Sequence, residues 1–209
     1  MATAAATFDP AEKLVSVDSH VFFTDEWVTA RLPQRLRQQW IDGNKAFQQQ
    51  ENEKRGGWTP DIVDIMDPYA WNDPGHFEPH GKLKAMDRDG VFAEVIFPEV
   101  GGAKVCSPTI MGRDWQEMLT GFNDAIADFA SVDTERLMCA YQLLPFDIDA
   151  SIKEVERVAK RGARCVQLPP FPTELGLKDY YHEEYHRLWG VIQETGLTIL
   201  NHLDNSAKS

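Results

Sequence analysis

From residue 82 onward, short apolar runs alternate with helical segments, and this alternation restricts the possible folds more than any other feature of the sequence. The runs at 91–98, 137–145, 165–168 and 198–203 have the length of strands. Helical segments separate them, and Gly90 stands where the first of these helices would end. Strands that alternate with helices at this spacing predict a parallel sheet with right-handed helical crossovers. The sequence therefore predicts an α/β fold, either a barrel or a doubly wound sheet.

A further strand is predicted at 14–20, where an apolar run leads into Asp18, Ser19 and His20. Alternate side chains of a strand share a face, so Asp18 and His20 point the same way, about 6.6 Å apart along the strand. From that separation a carboxylate oxygen and an imidazole nitrogen can converge on one ion. The same three residues also fit an ordinary strand that ends in a polar turn.

His202 ends the last predicted strand as His20 ends the first. In parallel α/β folds, ligands bind at the carboxyl ends of the strands. If the sheet closes, Asp18, His20 and His202 meet at one rim, and three protein ligands with room for water are typical of a catalytic zinc site. Taken alone, His202 is better explained as an ordinary strand-end residue, but the coincidence of two strand ends favours a shared site.

The whole chain, residues 1–209, is predicted to form a single domain. Residues 1–13 are expected to be a loose N-terminal arm, and residues 42–81, rich in Gln, Asn, Gly and Pro, an irregular insertion. A net charge of −12 without a Lys/Arg cluster argues against nucleic acid and anionic membranes as partners. The sequence contains no apolar run long enough to span a membrane, no secretory signal pattern and no CxxC pair. These features favour a cytoplasmic protein with reduced thiols.

Residues 182–186, His-Glu-Glu-Tyr-His, match the H-E-x-x-H pattern of zinc metalloproteases. On a helix His182 and His186 would share a face, and Glu183 could activate a bound water. However, no glutamate follows Glu194 to serve as a third ligand, and His182 lies at or before the predicted helix start. We therefore interpret the motif as a polar helix start, where acidic residues complement the positive helix terminus.

Five stretches of the sequence form an ordered set between residues 14 and 203. They are Val-Asp-Ser-His-Val at 17–21, Met-Asp-Arg-Asp-Gly-Val at 86–91, Ala-Glu-Val-Ile-Phe-Pro at 93–98, Val-Gln-Leu-Pro at 166–169 and Leu-Trp at 188–189. Together they resemble the amidohydrolase-related family, which includes aminocarboxymuconate-semialdehyde decarboxylase, γ-resorcylate-type decarboxylases and some hydrolases.

The resemblance implies the N-terminal five-strand portion of a (β/α)8 TIM-like metal-dependent hydrolase barrel, with a long loop insertion after strand 1. It also implies that Asp18, His20 and His202 bind one divalent metal, usually zinc and sometimes manganese. The family takes an acid/base histidine and a last aspartate ligand from later strands, which we expect beyond Ser209. No catalytic residue is therefore assigned within the chain, which is expected to be truncated at its C-terminus.

Candidate substrate contacts follow from positions near strand ends and in the insertion. They are Phe22, Glu99, Gln167, Trp71 and His76. By resemblance, the expected substrate is a small organic acid, aromatic or not, and the expected chemistry is hydrolysis or decarboxylation.

The alternative is a catalytically silent chain that binds only metal or a partner subunit. Because five strands cannot close a barrel, open sheet edges predict marginal stability or self-association. The family resemblance separately suggests a homo-oligomer. Glu94, inside an apolar run, is expected either to be paired or to face a polar cavity.

Overall fold

The structure, a computed structural model, describes residues 12–54, 73–98 and 106–202. The strands are β1 (Leu14–Val21), β2 (Val91–Pro98), β3 (Leu137–Gln142), β4 (Cys165–Leu168) and β5 (Thr198–Asn201). The α-helices of these residues are α1 (Asp25–Thr29), α2 (Gln34–Lys54), α3 (Pro79–Asp89), α4 (Pro108–Met111), α5 (Trp115–Ala130), α6 (Ile148–Lys160) and α7 (His186–Thr195).

The strands form one parallel sheet in the order β1-β2-β3-β4-β5, so every strand pairs with its neighbour along the chain. A doubly wound sheet would instead reverse its strand order at a switch point. Sequential parallel pairing with helical crossovers is the arrangement of a (β/α) barrel. The structure thus confirms the barrel interpretation, as a curled sheet of five strands.

The main core lies between the sheet and the helices that cover one of its faces. It contains strand residues such as Ile96, Tyr141 and Leu168 and residues of α5 such as Phe122 and Phe129, all at most 3% exposed. A smaller cluster, formed by Phe97, Ala140 and Cys165 with Val95 and Leu200 beside it, lies on the opposite, inner face of the sheet. The inner face is therefore the side on which a barrel interior would form.

Helix α2 contradicts part of the predicted irregular insertion, because residues 42–54 continue the helix to Lys54. Leu36, Trp40 and Phe47 are 1%, 3% and 8% exposed, and their spacing places them on one buried stripe. This sparse stripe was hidden by the polar residues around it. Helix α3 also begins inside the predicted insertion, at Pro79. Residues 55–72 of the insertion and 1–11 of the predicted arm lie outside the described residues.

Strands β1 and β5 form the two edges of the sheet. On β1, Leu14, Val15 and Val17 are 46%, 43% and 70% exposed, and Ile199 on β5 is 41% exposed. Apolar side chains on unpaired edges offer a surface for further pairing. None of the described helices combines the length and apolar character needed to cross a bilayer.

Candidate metal centre

Three potential metal ligands converge where β1 and β5 end. Asp18 Oδ1 lies 3.3 Å from His20 Nε2 and 3.2 Å from His202 Nε2. One ligand atom from each residue lies within 4.8 Å of the other two. Since β1 and β5 occupy opposite edges of the sheet, its curvature is what brings them together. Among the described residues, this is the one group of at least three His, Cys, Asp or Glu side chains with such spacing.

The spacing fits a bound divalent ion. Ligand atoms about 2.1 Å from one metal, at tetrahedral or octahedral angles, lie about 3.0–3.4 Å apart. Both distances from Asp18 Oδ1 fall within that range. Two imidazoles and a carboxylate suit zinc and related transition metals, and carboxylate also suits manganese. The same distances are compatible with hydrogen bonds from the imidazoles to the carboxylate, so the geometry permits an ion without requiring one.

The two imidazoles rest against an aromatic ring, while the carboxylate is open to solvent. The Phe97 ring centroid lies 4.5 Å from that of His202 and 6.0 Å from that of His20, and Phe97 is 7% exposed. The Asp18 side chain is 67% exposed, against 27% and 20% for the histidines. An ion held here would therefore have an open side for water or substrate, as catalytic sites require.

Phe97 was missed by sequence reasoning. Only its position could have indicated it: Phe97 lies near the carboxyl end of β2 and pairs in register with His20. Alternation along β2 then directs Phe97 to the same face as Val95, which borders the inner cluster. Glu94 points to the other face and contacts Lys82 at 2.8 Å, so the paired alternative for this residue is the correct one.

A second polar group occupies the carboxyl ends of β3 and β4. Gln142 Nε2 donates to Gln167 Oε1 at 2.8 Å and to the Ala140 carbonyl at 2.9 Å. The Ala140 carbonyl can only accept, so the amide nitrogen of Gln142 must face it. The same nitrogen then requires the amide oxygen, and not the nitrogen, of Gln167 as its second acceptor. Both glutamines are buried, at 2% and 3% exposure. Gln167, a predicted substrate contact, is thus held rigidly with its amide orientation set.

Asn123 of α5 anchors this glutamine pair from the helix side. Its Oδ1 accepts from the Gln142 N–H at 2.8 Å, and its Nδ2 donates to the Gln142 carbonyl at 2.9 Å and to Glu154 Oε1 at 2.7 Å. Asn123 is 1% exposed. Sequence reasoning missed both Asn123 and Gln142, because neither stands in a recognisable motif.

The other predicted substrate contacts divide into two groups. Phe22 and His76 are neighbours: the Phe22 N–H donates to the His76 carbonyl at 2.8 Å, and their ring centroids are 6.1 Å apart. They lie just beyond the end of β1. Glu99 and Trp71 lie outside the described residues.

The H-E-x-x-H motif does not form a two-histidine helix face. His182 is the N-cap of a short 3-10 turn, Glu183–Tyr185, and its Nδ1 accepts from the Glu184 N–H at 3.3 Å. His186 begins the α-helix that follows. The two histidines therefore do not occupy successive turns of one α-helix, which agrees with a polar helix start.

The three cysteines offer no thiolate ligand. Cys106, Cys139 and Cys165 are buried and not joined by disulfides. Burial raises the pKa of the Cys106 and Cys139 thiols far above the ordinary range and that of Cys165 to about 12. At neutral pH all three are uncharged thiols, so the nitrogen and oxygen ligands above remain the candidates.

No protein-family model and no curated protein sequence matches this chain. Solved structures do share its fold. An amidohydrolase from Mycobacterium avium subsp. paratuberculosis K-10 matches with a TM-score of 0.65 and 16% identity, over 94% of this chain and 60% of that one. 5-Carboxyvanillate decarboxylase from Novosphingobium aromaticivorans DSM 12444 matches with a TM-score of 0.62 and 15% identity, over 93% of this chain and 51% of that one. 2,6-Dihydroxybenzoate decarboxylase from Rhizobium matches with a TM-score of 0.54 and 16% identity, over 92% of this chain and 50% of that one.

These likenesses define the fold. The five strands and their helices match the N-terminal part of the TIM-barrel amidohydrolase fold. The chain spans about 50% to 60% of the length of the three structures. At such low identities a shared fold does not carry activity with it.

Proposed function

We propose that this chain carries the metal-binding part of a divalent-metal-dependent hydrolase or decarboxylase that acts on a small organic acid. The observation that carries the proposal is the convergence of Asp18, His20 and His202 at the carboxyl ends of β1 and β5. In barrel enzymes this end of the strands carries the active site. The fold shared with amidohydrolase-type structures supports the same conclusion.

In this proposal Asp18, His20 and His202 hold one zinc or manganese ion. Such an ion supplies Lewis-acid chemistry, either polarising a substrate oxygen or lowering the pKa of a bound water to about 7. Manganese is supported by the 5-carboxyvanillate decarboxylase structure, which contains it. The ring of Phe97 packs against both imidazoles, closer to His202 than to His20.

We further propose an aromatic acid as the substrate. The structure of 5-carboxyvanillate decarboxylase contains 3-methoxy-4-hydroxy-5-nitrobenzoic acid, and another solved structure of 2,6-dihydroxybenzoate decarboxylase, separate from the Rhizobium one above, contains 2,6-dihydroxybenzoate. In this chain Gln167 is held with its amide nitrogen directed away from Gln142, as a donor to a carboxylate or hydroxyl would be. Phe22 and His76 supply aromatic surface next to β1.

A silent metal-binding chain is the alternative, and turnover separates it from an enzyme. Purified protein loaded with Mn²⁺ or Zn²⁺ is assayed with hydroxylated benzoic acids, following loss of substrate and release of carbon dioxide. Metal-dependent turnover supports the enzyme. One bound metal per chain with no turnover of these acids would favour the silent alternative.

Metal content tests the site itself. We expect about one divalent ion per chain by elemental analysis, with the ion lost in Asp18→Ala and His20→Ala and retained in His182→Ala. If the wild type holds no stoichiometric metal, or if the ion is lost only when His182 or His186 is replaced, the proposed site is wrong.

A further inference from the structure

A buried polar cluster lies directly behind the metal-binding stretch of β1. Lys82 Nζ donates to Ser19 Oγ at 2.7 Å and lies 2.8 Å from Glu94 Oε2, while Ser19 Oγ donates to the same carboxylate oxygen at 2.6 Å. Lys82 and Glu94 are 9% and 8% exposed. The cluster joins three elements, because Lys82 belongs to α3, Glu94 to β2 and Ser19 to β1.

Ser19 is the residue between two of the candidate ligands. Side chains alternate along a strand, so Asp18 and His20 point to the inner face while Ser19 points into the cluster behind it. The hydroxyl of Ser19 therefore fixes the backbone that carries both ligands.

The pairing of β1 with β2 is irregular at the same place. Ser16 pairs with Glu94, but Ser19 pairs with Ile96, so three steps along β1 match two along β2. An extra residue of this kind bends a strand and re-aims its side chains, and such irregularities occur next to active sites. Asp18 lies inside the irregular segment, and regular pairing resumes at Ser19. The strand needs an anchor at that point if Asp18 is to keep its direction.

Stability alone does not account for an ion pair at this position. The free-energy cost of desolvating two buried charges is often as large as the stabilisation from their attraction, and apolar residues can replace such pairs without loss of folding stability. The cluster also connects to the one strand end where three candidate ligands meet. A role in holding that strand end explains both its burial and its place.

We propose that Lys82, Glu94 and Ser19 are positioning residues that hold the Asp18–Ser19–His20 backbone in the geometry needed to bind a metal ion. This inference rests on the metal site proposed above. The three residues act through the backbone of β1 and do not contact the ion. Residues that orient metal ligands typically cost about 10–100-fold in affinity when they are removed.

The decisive variant is Ser19→Ala, which removes the link to β1 and leaves the Lys82–Glu94 ion pair intact. Ser151→Ala is its matched control, because Ser151 of α6 is also a buried serine, 3% exposed, and its hydroxyl donates to the backbone carbonyl of Asp147, the N-cap of that helix. Ser19→Thr restores a hydroxyl and tests rescue. A Lys82→Met/Glu94→Leu double variant removes both charges together, so neither is left buried alone.

The affinity of each full-length variant for Mn²⁺ and Zn²⁺ is measured by competition with a chromophoric chelator, and the melting temperature of each metal-free variant is measured beside it. We expect about tenfold weaker metal binding for Ser19→Ala and for the double variant. Ser151→Ala should bind as the wild type does, and Ser19→Thr should recover most of the affinity. The metal-free melting temperature of Ser19→Ala should lie close to that of Ser151→Ala.

The outcomes separate the two proposals. If the wild type binds metal and Ser19→Ala binds it equally well, the positioning role is wrong and the metal site stands. If Ser19→Ala and Ser151→Ala weaken binding to the same extent, the effect is general destabilisation, and the positioning role is again wrong. If the wild type binds neither ion, the proposed metal site fails, and the positioning role fails with it.

Discussion

Asp18 Oδ1 lies 3.2 Å from His202 Nε2, although the residues are 184 positions apart and belong to opposite edges of one sheet. No backbone ladder joins β1 to β5 in the described sheet, so side chains make this connection. The contact brings the carboxyl ends of the two edge strands together. An ion bound there would link the first strand to the last.

The first prediction concerns stabilisation by metal. A ligand that binds only the folded state stabilises it by about 2.7 kcal/mol at 100 times its dissociation constant. We therefore expect Mn²⁺ or Zn²⁺ to raise the melting temperature of the wild type, since the ion bridges β1 and β5. His202→Ala should abolish the rise, measured by differential scanning fluorimetry.

His186→Ala is the matched control for this experiment, because His186 is an exposed histidine at the start of α7 and is not among the three candidate ligands. It should keep the full metal-induced rise. An equal response from His202→Ala and the wild type would remove His202 from the site.

The second prediction concerns the anchor of the glutamine pair. Asn123→Ala removes one side-chain hydrogen-bond partner from both the N–H and the carbonyl of Gln142, and one from the buried Glu154, which keeps its bonds to Arg157. An unsatisfied buried group costs about 1–3 kcal/mol, so we expect a loss of about 2–4 kcal/mol in the free energy of unfolding. Urea denaturation measures it. Gln116→Ala, at an exposed position on the same helix, should change stability by no more than about 0.5 kcal/mol.

The third prediction follows from the buried thiols. Burial raises the pKa of Cys165 to about 12 and raises the pKa values of Cys106 and Cys139 further. An unfolded cysteine loses its proton near pH 8.5, so above that pH the unfolded state binds fewer protons than the folded state. The free energy of unfolding should therefore be unaffected by these groups below about pH 8.5 and fall as the pH rises above it.

Thiol reactivity checks the same point directly. At pH 8, Ellman's reagent should leave the native protein unmodified and react with all three cysteines in guanidinium chloride. Rapid modification of the native protein would show that the thiols are accessible and that the pKa values are not raised by burial.

The fourth prediction concerns the exposed edge of β1. Val17 is 70% exposed on an edge strand, and such an edge favours association with other chains. Val17→Lys should reduce both self-association, measured by sedimentation velocity, and binding of a hydrophobic dye. Val132→Lys changes another exposed valine outside the sheet and should do neither. A wild type that sediments as a monomer and binds no dye would contradict the expected self-association through the edge of β1.

Much of the fold was predictable because the signals are local. Apolar strand-length runs are separated by helices, and Gly90 and Gly196 end two of those helices with positive φ values of 70° and 71°. Helix α2 was predicted only in part, because its few apolar residues are widely spaced among polar ones. Its burial depends on partners elsewhere, such as the Asp25 carboxylate that accepts from the Trp40 indole N–H at 3.0 Å.

Of the candidate site, only the three candidate ligands were predictable from the sequence. Alternation along β1 brings Asp18 and His20 to one face, and a strand-end position singles out His202. What surrounds them depends on the pairing of separate strands. The register of β2 against β1 places Phe97 beside His20, and the packing of α3 brings Lys82 to Glu94. Neither contact is encoded in a short stretch of sequence.

We propose above all that Asp18, His20 and His202 bind one divalent ion together. X-ray absorption of the zinc-loaded protein measures the ligands of that ion most directly. We expect nitrogen and oxygen ligands at about 2.0–2.2 Å, with the outer-shell scattering of two imidazoles and no sulfur at about 2.3 Å. Scattering from fewer than two imidazoles, or a sulfur ligand, would contradict it.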